Sequence, residues 1–152
     1  MVTIHGTCVL VSGIGILLRG ASGSGKSDLA LRLIDGGAQL VADDRVELFV
    51  AGGGEDGTVA ARAPERLAGL LEVRGVGILP VPHVASAPVG LVVDLVPHGH
   101  VERLPDPEVV RLLDRPVPRL ALAPFDASTP AKLRVAAAAV REDRLGEVPV
   151  FP

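Results

Sequence analysis

The sequence predicts an α/β fold: a mixed, twisted sheet built around a phosphate-binding loop, with helices packed against it. Three observations carry this prediction. The stretch Gly20-Ala21-Ser22-Gly23-Ser24-Gly25-Lys26-Ser27 fits G-x-x-x-x-G-K-[ST]. Its flanks fit as well: residues 15–18 form an apolar run, and positions 29, 30, 33 and 34 are apolar at helical spacing. Elsewhere, short apolar or alternating runs are separated by glycines and prolines, which is the pattern of strands and turns.

The elements follow in order. Residues 2–5 and 8–11 read as strands joined by Gly6-Thr7, and 15–18 as the strand that feeds the loop. The helix after the loop stops at Gly36-Gly37, a glycine terminator. Strands are expected over 38–42, ending in Asp43-Asp44, over 46–50, and over 58–61 beyond a Gly-rich loop at 52–57. Residues 64–69 read as a short helix with Pro64 at its first position. The stretch 71–79 is too interrupted by glycine for a plain strand, whereas 90–96 is a buried one. A short helix or turn is expected at 107–113. A strand is expected at 117–122, placed at a sheet edge by Pro118. A Ser or Thr cap followed by Pro130 opens a last, Ala-rich helix from 128 to about 141. No repeat or linker interrupts the 152 residues, so one domain spanning 1–152 is expected.

Composition narrows the function. With 48% hydrophobic and 22% charged residues the chain is of the soluble, globular class. A net charge of -3 without a long basic run argues against nucleic acid as a partner. The single cysteine, Cys8, allows no intrachain disulfide and points to a reducing compartment; it reads as an inert core residue. No signal-peptide pattern and no run of ~18 apolar residues is present, so a cytoplasmic protein off the membrane is expected. Three Phe, no Tyr and no Trp leave little to stack on, so an adenine ring would rest on aliphatic groups or be held weakly.

The loop supplies the first chemistry. Its glycines let backbone N–H groups turn inward around phosphate oxygens, and the next helix points its positive end at the same anion. Lys26 then reaches the terminal phosphates and the Ser27 hydroxyl ligates Mg²⁺. Such a chain binds a nucleoside triphosphate or a similar polyphosphate. Asp43-Asp44 follows at a strand end, where neighbouring carboxylates point different ways. One can serve the metal while the other accepts a proton from an attacking hydroxyl; a solvated Asp-Asp turn fits the pair equally. Alternation puts Glu72 and Arg74 on one face, either as a metal ligand beside a phosphate-holding guanidinium or as a surface ion pair. His5, at a strand end, reads as structural. His98-Gly99-His100 is a weak candidate for a loop metal site.

Four segments taken together resemble the HPr kinase/phosphorylase family, ATP-dependent serine kinases acting on HPr, the small carrier of the phosphotransferase system. They are His5-Gly6-Thr7, residues 20–27, Leu40-Val41-Ala42-Asp43-Asp44-Arg45-Val46-Glu47, and Leu71-Glu72-Val73-Arg74-Gly75-Val76-Gly77-Ile78. The last is similar to the family signature L-E-[VI]-R-G-x-G-[IV]. The resemblance implies a P-loop kinase domain with a core like that of phosphoenolpyruvate carboxykinases, ATP and Mg²⁺ as cofactors, an HPr-like phosphocarrier as partner, and a hexamer. It implies that Lys26 holds phosphate, that Ser27 and Glu72 hold metal with Asp43 beside them, that Asp44 accepts the proton, and that His5 and Arg74 assist at the catalytic centre. The family also has an R-P-G-R-N-like loop whose arginine aids the reverse reaction. Residues 124–132 carry no arginine, only Asp126 and Lys132, so phosphorylase activity is expected to be weak. The family's N-terminal domain and HPr-contacting C-terminal helix are not in this sequence, which resembles the short proteobacterial forms. Three functions follow in order of preference: a protein serine kinase, a nucleotide-sensing module without transfer, and a small-molecule kinase.

Overall fold

The computed structural model describes residues 1–53 and 57–145. The predicted loop at 52–57 thus lies partly outside the described residues. Eleven strands and two α-helices run in the order β1 (Val2–His5), β2 (Thr7–Val11), β3 (Ile14–Arg19), α1 (Lys26–Asp35), β4 (Gln39–Ala42), β5 (Arg45–Ala51), β6 (Thr58–Arg62), β7 (Leu70–Val73), β8 (Gly77–Pro80), β9 (Ala87–Leu95), β10 (Glu108–Leu112), β11 (Arg115–Leu122) and α2 (Thr129–Arg141). Single 3₁₀ turns occupy Glu65–Leu67 and His98–His100.

Nine strands form one mixed sheet. β3 lies between β2, antiparallel, and β9, parallel. β9 also pairs with β11 in parallel, and its first residues pair with β6, from which the sheet continues through β5 to β1. Alternation sorts the side chains into two cores. Ile16 and Leu18 of β3 and Leu91 and Val93 of β9 face the helices, packing with Leu29, Ala30 and Leu33 of α1 and Leu133, Ala136 and Ala137 of α2. Leu17 and Val92 point the other way, into a cluster drawn from strands alone, including Val46, Leu48, Val59, Ala61, Leu112 and Val117. Helices therefore cover one face, and the curled sheet closes over its own other face.

One close approach and one left-handed turn explain two particular glycines. Where β3 meets β9, a Cβ on Gly15 would lie 2.2 Å from the Pro88 carbonyl oxygen, so the strands could not pair with any side chain there. Past α1, Gly37 adopts φ 107 while its N–H donates to the Ile34 carbonyl and the Ala38 N–H donates to that of Leu33. This is the glycine stop read from Gly36-Gly37.

Two expectations change and a third gains detail. Residues 107–113 contain strand β10, antiparallel to β11, and not a helix or turn. β11 is not an edge strand, since it pairs with β10 over Arg115–Arg119 and with β9 over Arg119–Leu122, although at Pro118 itself only the β10 side is paired. Pro116 and Pro118 are two apart, so both lack their N–H on the same side of the strand. The glycine-interrupted stretch is a separate hairpin, β7 paired with β8 across a turn. At α2, Ser128 makes no capping bond and the buried Thr129 hydroxyl donates inward to the Ala123 carbonyl. Cys8 is fully buried, and burial pushes its thiol up to about 12, which keeps it protonated. No helix among the described residues is long and apolar enough to cross a membrane.

One charge cluster ties the strand before the loop to its neighbours. Arg19 holds Asp94 of β9 through two bonds of 2.7 and 2.9 Å, and Arg119 of β11 adds a third at 2.6 Å while also reaching Glu108 of β10. Burial alone would raise the Asp94 carboxyl, but the bonds and charges of Arg19 and Arg119 outweigh it and hold the group below its ordinary range. A carboxylate depressed in this way stabilises the fold above its unfolded value and loses that contribution as pH falls through the folded one. Asp94→Asn is expected to destabilise by about 1–3 kcal/mol at neutral pH, since it leaves two guanidiniums facing an amide. In thermal melts the gap from the parent should shrink below about pH 4. A gap that persists at low pH would assign the loss to packing and not to charge.

Candidate active site

β3 delivers the chain into the phosphate-binding loop, and α1 leaves it. Gly25, the last loop residue before α1, takes φ 101, and a Cβ there would fall 2.8 Å from the Phe125 ring. Handedness and space both require glycine at this position. The Lys26 ammonium folds back onto the loop and donates to the Gly20 and Ala21 carbonyls at 2.8 and 2.9 Å.

The loop opens into a cleft of about 850 Å³. Gly20, Ala21, Ser22, Gly23, Gly25, Lys26 and Ser27 line it, and so do His5, Asp44, Glu72 and Arg74. Ser24 and Asp43 lie behind this lining, and the Ser24 hydroxyl is buried without a partner among the described residues. The loop residues, His5, Asp43, Asp44, Glu72 and Arg74 therefore gather at one place, from β1, the loop, α1, the turn after β4, and the hairpin.

Asp43 and Asp44 part in the way that neighbours at a strand end must. Asp43 is buried and accepts three hydrogen bonds: from the Ser27 hydroxyl at 2.8 Å, the Thr7 hydroxyl at 3.0 Å, and the Glu72 backbone N–H at 3.2 Å. Asp44 is exposed to the cleft in a left-handed conformation, φ 68, which Asp tolerates better than most residues. Its own carbonyl accepts from the Gly6 N–H at 3.2 Å, which brings the end of β1, with His5, alongside. This arrangement of Asp43 and Asp44 is not that of a solvated turn. Thr7 carries no side-chain role in the sequence reading; its position within His5-Gly6-Thr7 was its only signal.

Glu72 is the penultimate residue of β7 and Arg74 lies just beyond the strand, so the expected shared strand face becomes a strand end and a turn. Both are exposed and both line the cleft. Among the described residues they form no ion pair with each other or with another side chain. It is the Glu72 backbone, not its carboxylate, that touches Asp43. His98 and His100 form no metal-binding group: among the described residues no three His, Cys, Asp or Glu side chains are clustered to hold an ion by themselves. His98 instead pairs with Asp126, 2.7 Å away.

The donor set fits Mg²⁺ carried by a polyphosphate. That ion keeps waters and phosphate oxygens as ligands and asks the protein for one or two groups. Ser27 and Asp43 stand side by side at the start of α1 and are of the right oxygen chemistry.

The family model for the HPr Serine kinase C-terminal domain matches residues 1–123. This chain belongs to that family. The HPr kinase/phosphorylase of Lactobacillus acidophilus is 43% identical over 101 residues, 62% of this chain and 30% of that protein. That of Peptoclostridium acidaminophilum is 44% identical over 97 residues, again 62% and 30%. The HPr kinase family match thus spans less than a third of these relatives' length. The HPr(Ser) kinase/phosphatase structure from Coxiella burnetii superimposes with a TM-score of 0.77 at 27% identity, covering 95% of this chain and 92% of that one. The mixed sheet, loop and helices described above are therefore the fold of an HPr kinase.

Proposed function

We propose that this chain is an ATP- and Mg²⁺-dependent protein serine kinase acting on HPr or a related phosphocarrier. The observation that carries the proposal is the division of labour between adjacent aspartates. Asp43 is committed to the Ser27 hydroxyl, while Asp44 faces the cleft without a side-chain partner among the described residues. The family membership and the names of its relatives support the acceptor and the nucleotide. A hexameric assembly is an expectation of the family resemblance alone.

In this reading the loop amides and Lys26 hold the β- and γ-phosphates, and Lys26 exchanges its loop carbonyls for phosphate oxygens. Ser27 and Asp43 would hold Mg²⁺, with Glu72 facing the same cleft, and the bound ion would supply charge neutralisation at the transferring group. Asp44 accepts the proton of the acceptor serine as its oxygen bonds to the γ-phosphorus and the bond to the ADP oxygen breaks. Arg74 and His5 orient the γ-phosphate or the acceptor. The reverse reaction, in which inorganic phosphate attacks phosphoserine and releases pyrophosphate, is weak in this reading. It needs a second anion held nearby, and residues 124–130 offer Asp126, already paired with His98.

Ser27→Ala is expected to weaken binding of Mg·ATP more than binding of metal-free ATP in calorimetry, because only the metal-bound form uses the hydroxyl. Equal losses would remove Ser27 from the metal site. The function itself is tested with labelled ATP, Mg²⁺ and HPr, locating any label by mass spectrometry. Label on an HPr serine is the expected result. Nucleotide binding without transfer would favour a sensing module, and label on a small hydroxyl compound would favour a different acceptor class.

A further inference from the structure

We propose that Phe125 is the surface on which the base of the bound nucleotide stacks. The inference rests on the reading of the loop as a nucleotide site. It revises the expectation, drawn from three phenylalanines and no Tyr or Trp, that a base would rest on aliphatic groups or be held weakly.

Phe125 is 68% exposed, so most of its ring is open to a ligand. It lines the same cleft as the phosphate-binding loop and packs against the Gly25 backbone, next to Lys26. The segment that carries it is held firmly. From α1, the Arg32 guanidinium donates to the Pro124 carbonyl and, at 3.5 Å, to the Asp126 carbonyl, so both residues flanking the ring are tied to the helix that leaves the loop. The Thr129 hydroxyl holds the Ala123 carbonyl at 2.5 Å, the Thr129 N–H holds the Asp126 carbonyl at 3.1 Å, and His98 holds the Asp126 side chain.

A rigid backbone with an exposed ring is preorganised for a planar ligand, because little freedom is left to lose on binding. The base is tethered to the phosphates through its ribose, so a flat apolar surface in contact with the loop is within its reach. Leu31 of α1 and Val73 of β7 add aliphatic surface to the same cleft. Stacking accepts any base, so this contact gives affinity without choosing between adenine and guanine.

The test compares a nucleotide with inorganic tripolyphosphate, which fills the loop but carries no base. Phe125→Ala is expected to weaken Mg·ATP and Mg·GTP binding alike, by about 5–100-fold, and to leave tripolyphosphate binding unchanged. Phe125→Tyr should retain parental affinity. Phe125→Trp would install the only tryptophan of the chain, and its fluorescence should change with Mg·ATP but not with tripolyphosphate. Equal weakening of ATP and tripolyphosphate would reduce Phe125 to a packing role against Gly25 and overturn the proposal. Unchanged ATP affinity in Phe125→Ala would also overturn it, and a simultaneous shift in sedimentation would reassign the ring to contact between copies. Tripolyphosphate binding by the parent without tighter ATP binding would refute the base contact while sparing the phosphate site. Failure to bind either compound would refute both.

Discussion

Asp44→Asn is expected to slow single-turnover transfer to HPr by ~10²–10⁴, the usual size of a general-base contribution, while ATP affinity stays within a few-fold. The substitution is a clean probe here. Asp44 sits at φ 68, and Asn is among the few residues that accept that conformation readily. The backbone, its bond from the Gly6 N–H, and the approach of β1 should therefore survive. Only the ability to take a proton is lost. Asp43→Asn is the control. It removes charge beside Ser27 and alters a buried group with three donors, so it should act on metal affinity and stability more than on the chemical step. A variant of Asp43 that stops chemistry while Asp44→Asn does not would reverse the two roles. If neither slows transfer, His5 is the next base to test, since it lines the same cleft.

Lys26→Ala should lower transfer by at least ~10²–10³-fold, the scale for removing one charge-stabilising donor from a reacting centre. The loop has no other cationic side chain. Folding should be nearly unaffected. The Gly20 and Ala21 carbonyls that lose the ammonium lie at the open cleft and turn to water, so the cost is below about 1 kcal/mol. Unchanged melting with lost transfer and weakened ATP and tripolyphosphate binding is the expected combination. Full transfer by this variant would remove the loop from the reaction.

The loop and the helix after it were legible in the sequence because their determinants lie within a few residues of one another. Glycine conformations, the apolar spacing along α1 and the stop at Gly36-Gly37 are local, and they appear in the structure where they were read. Gathering Asp43, Asp44, Glu72, Arg74 and His5 at one site was implied only by resemblance to the HPr kinase family. Spacing alone left each as an open pair or a surface group.

What tertiary structure decided depended on contacts between distant parts of the chain. Residues 107–113 read in isolation as a short helix or turn, but pairing with β11 makes a strand, because ladder bonds to a neighbour outweigh a weak local preference. The aspartates are distinguished by partners 16, 29 and 36 residues away, so no local pattern could say which one is buried. Phe125 sits at the mouth of the phosphate loop because Arg32, 92 residues before Pro124, holds the carbonyl beside it. Composition counted one phenylalanine among three; only the fold set it against Gly25.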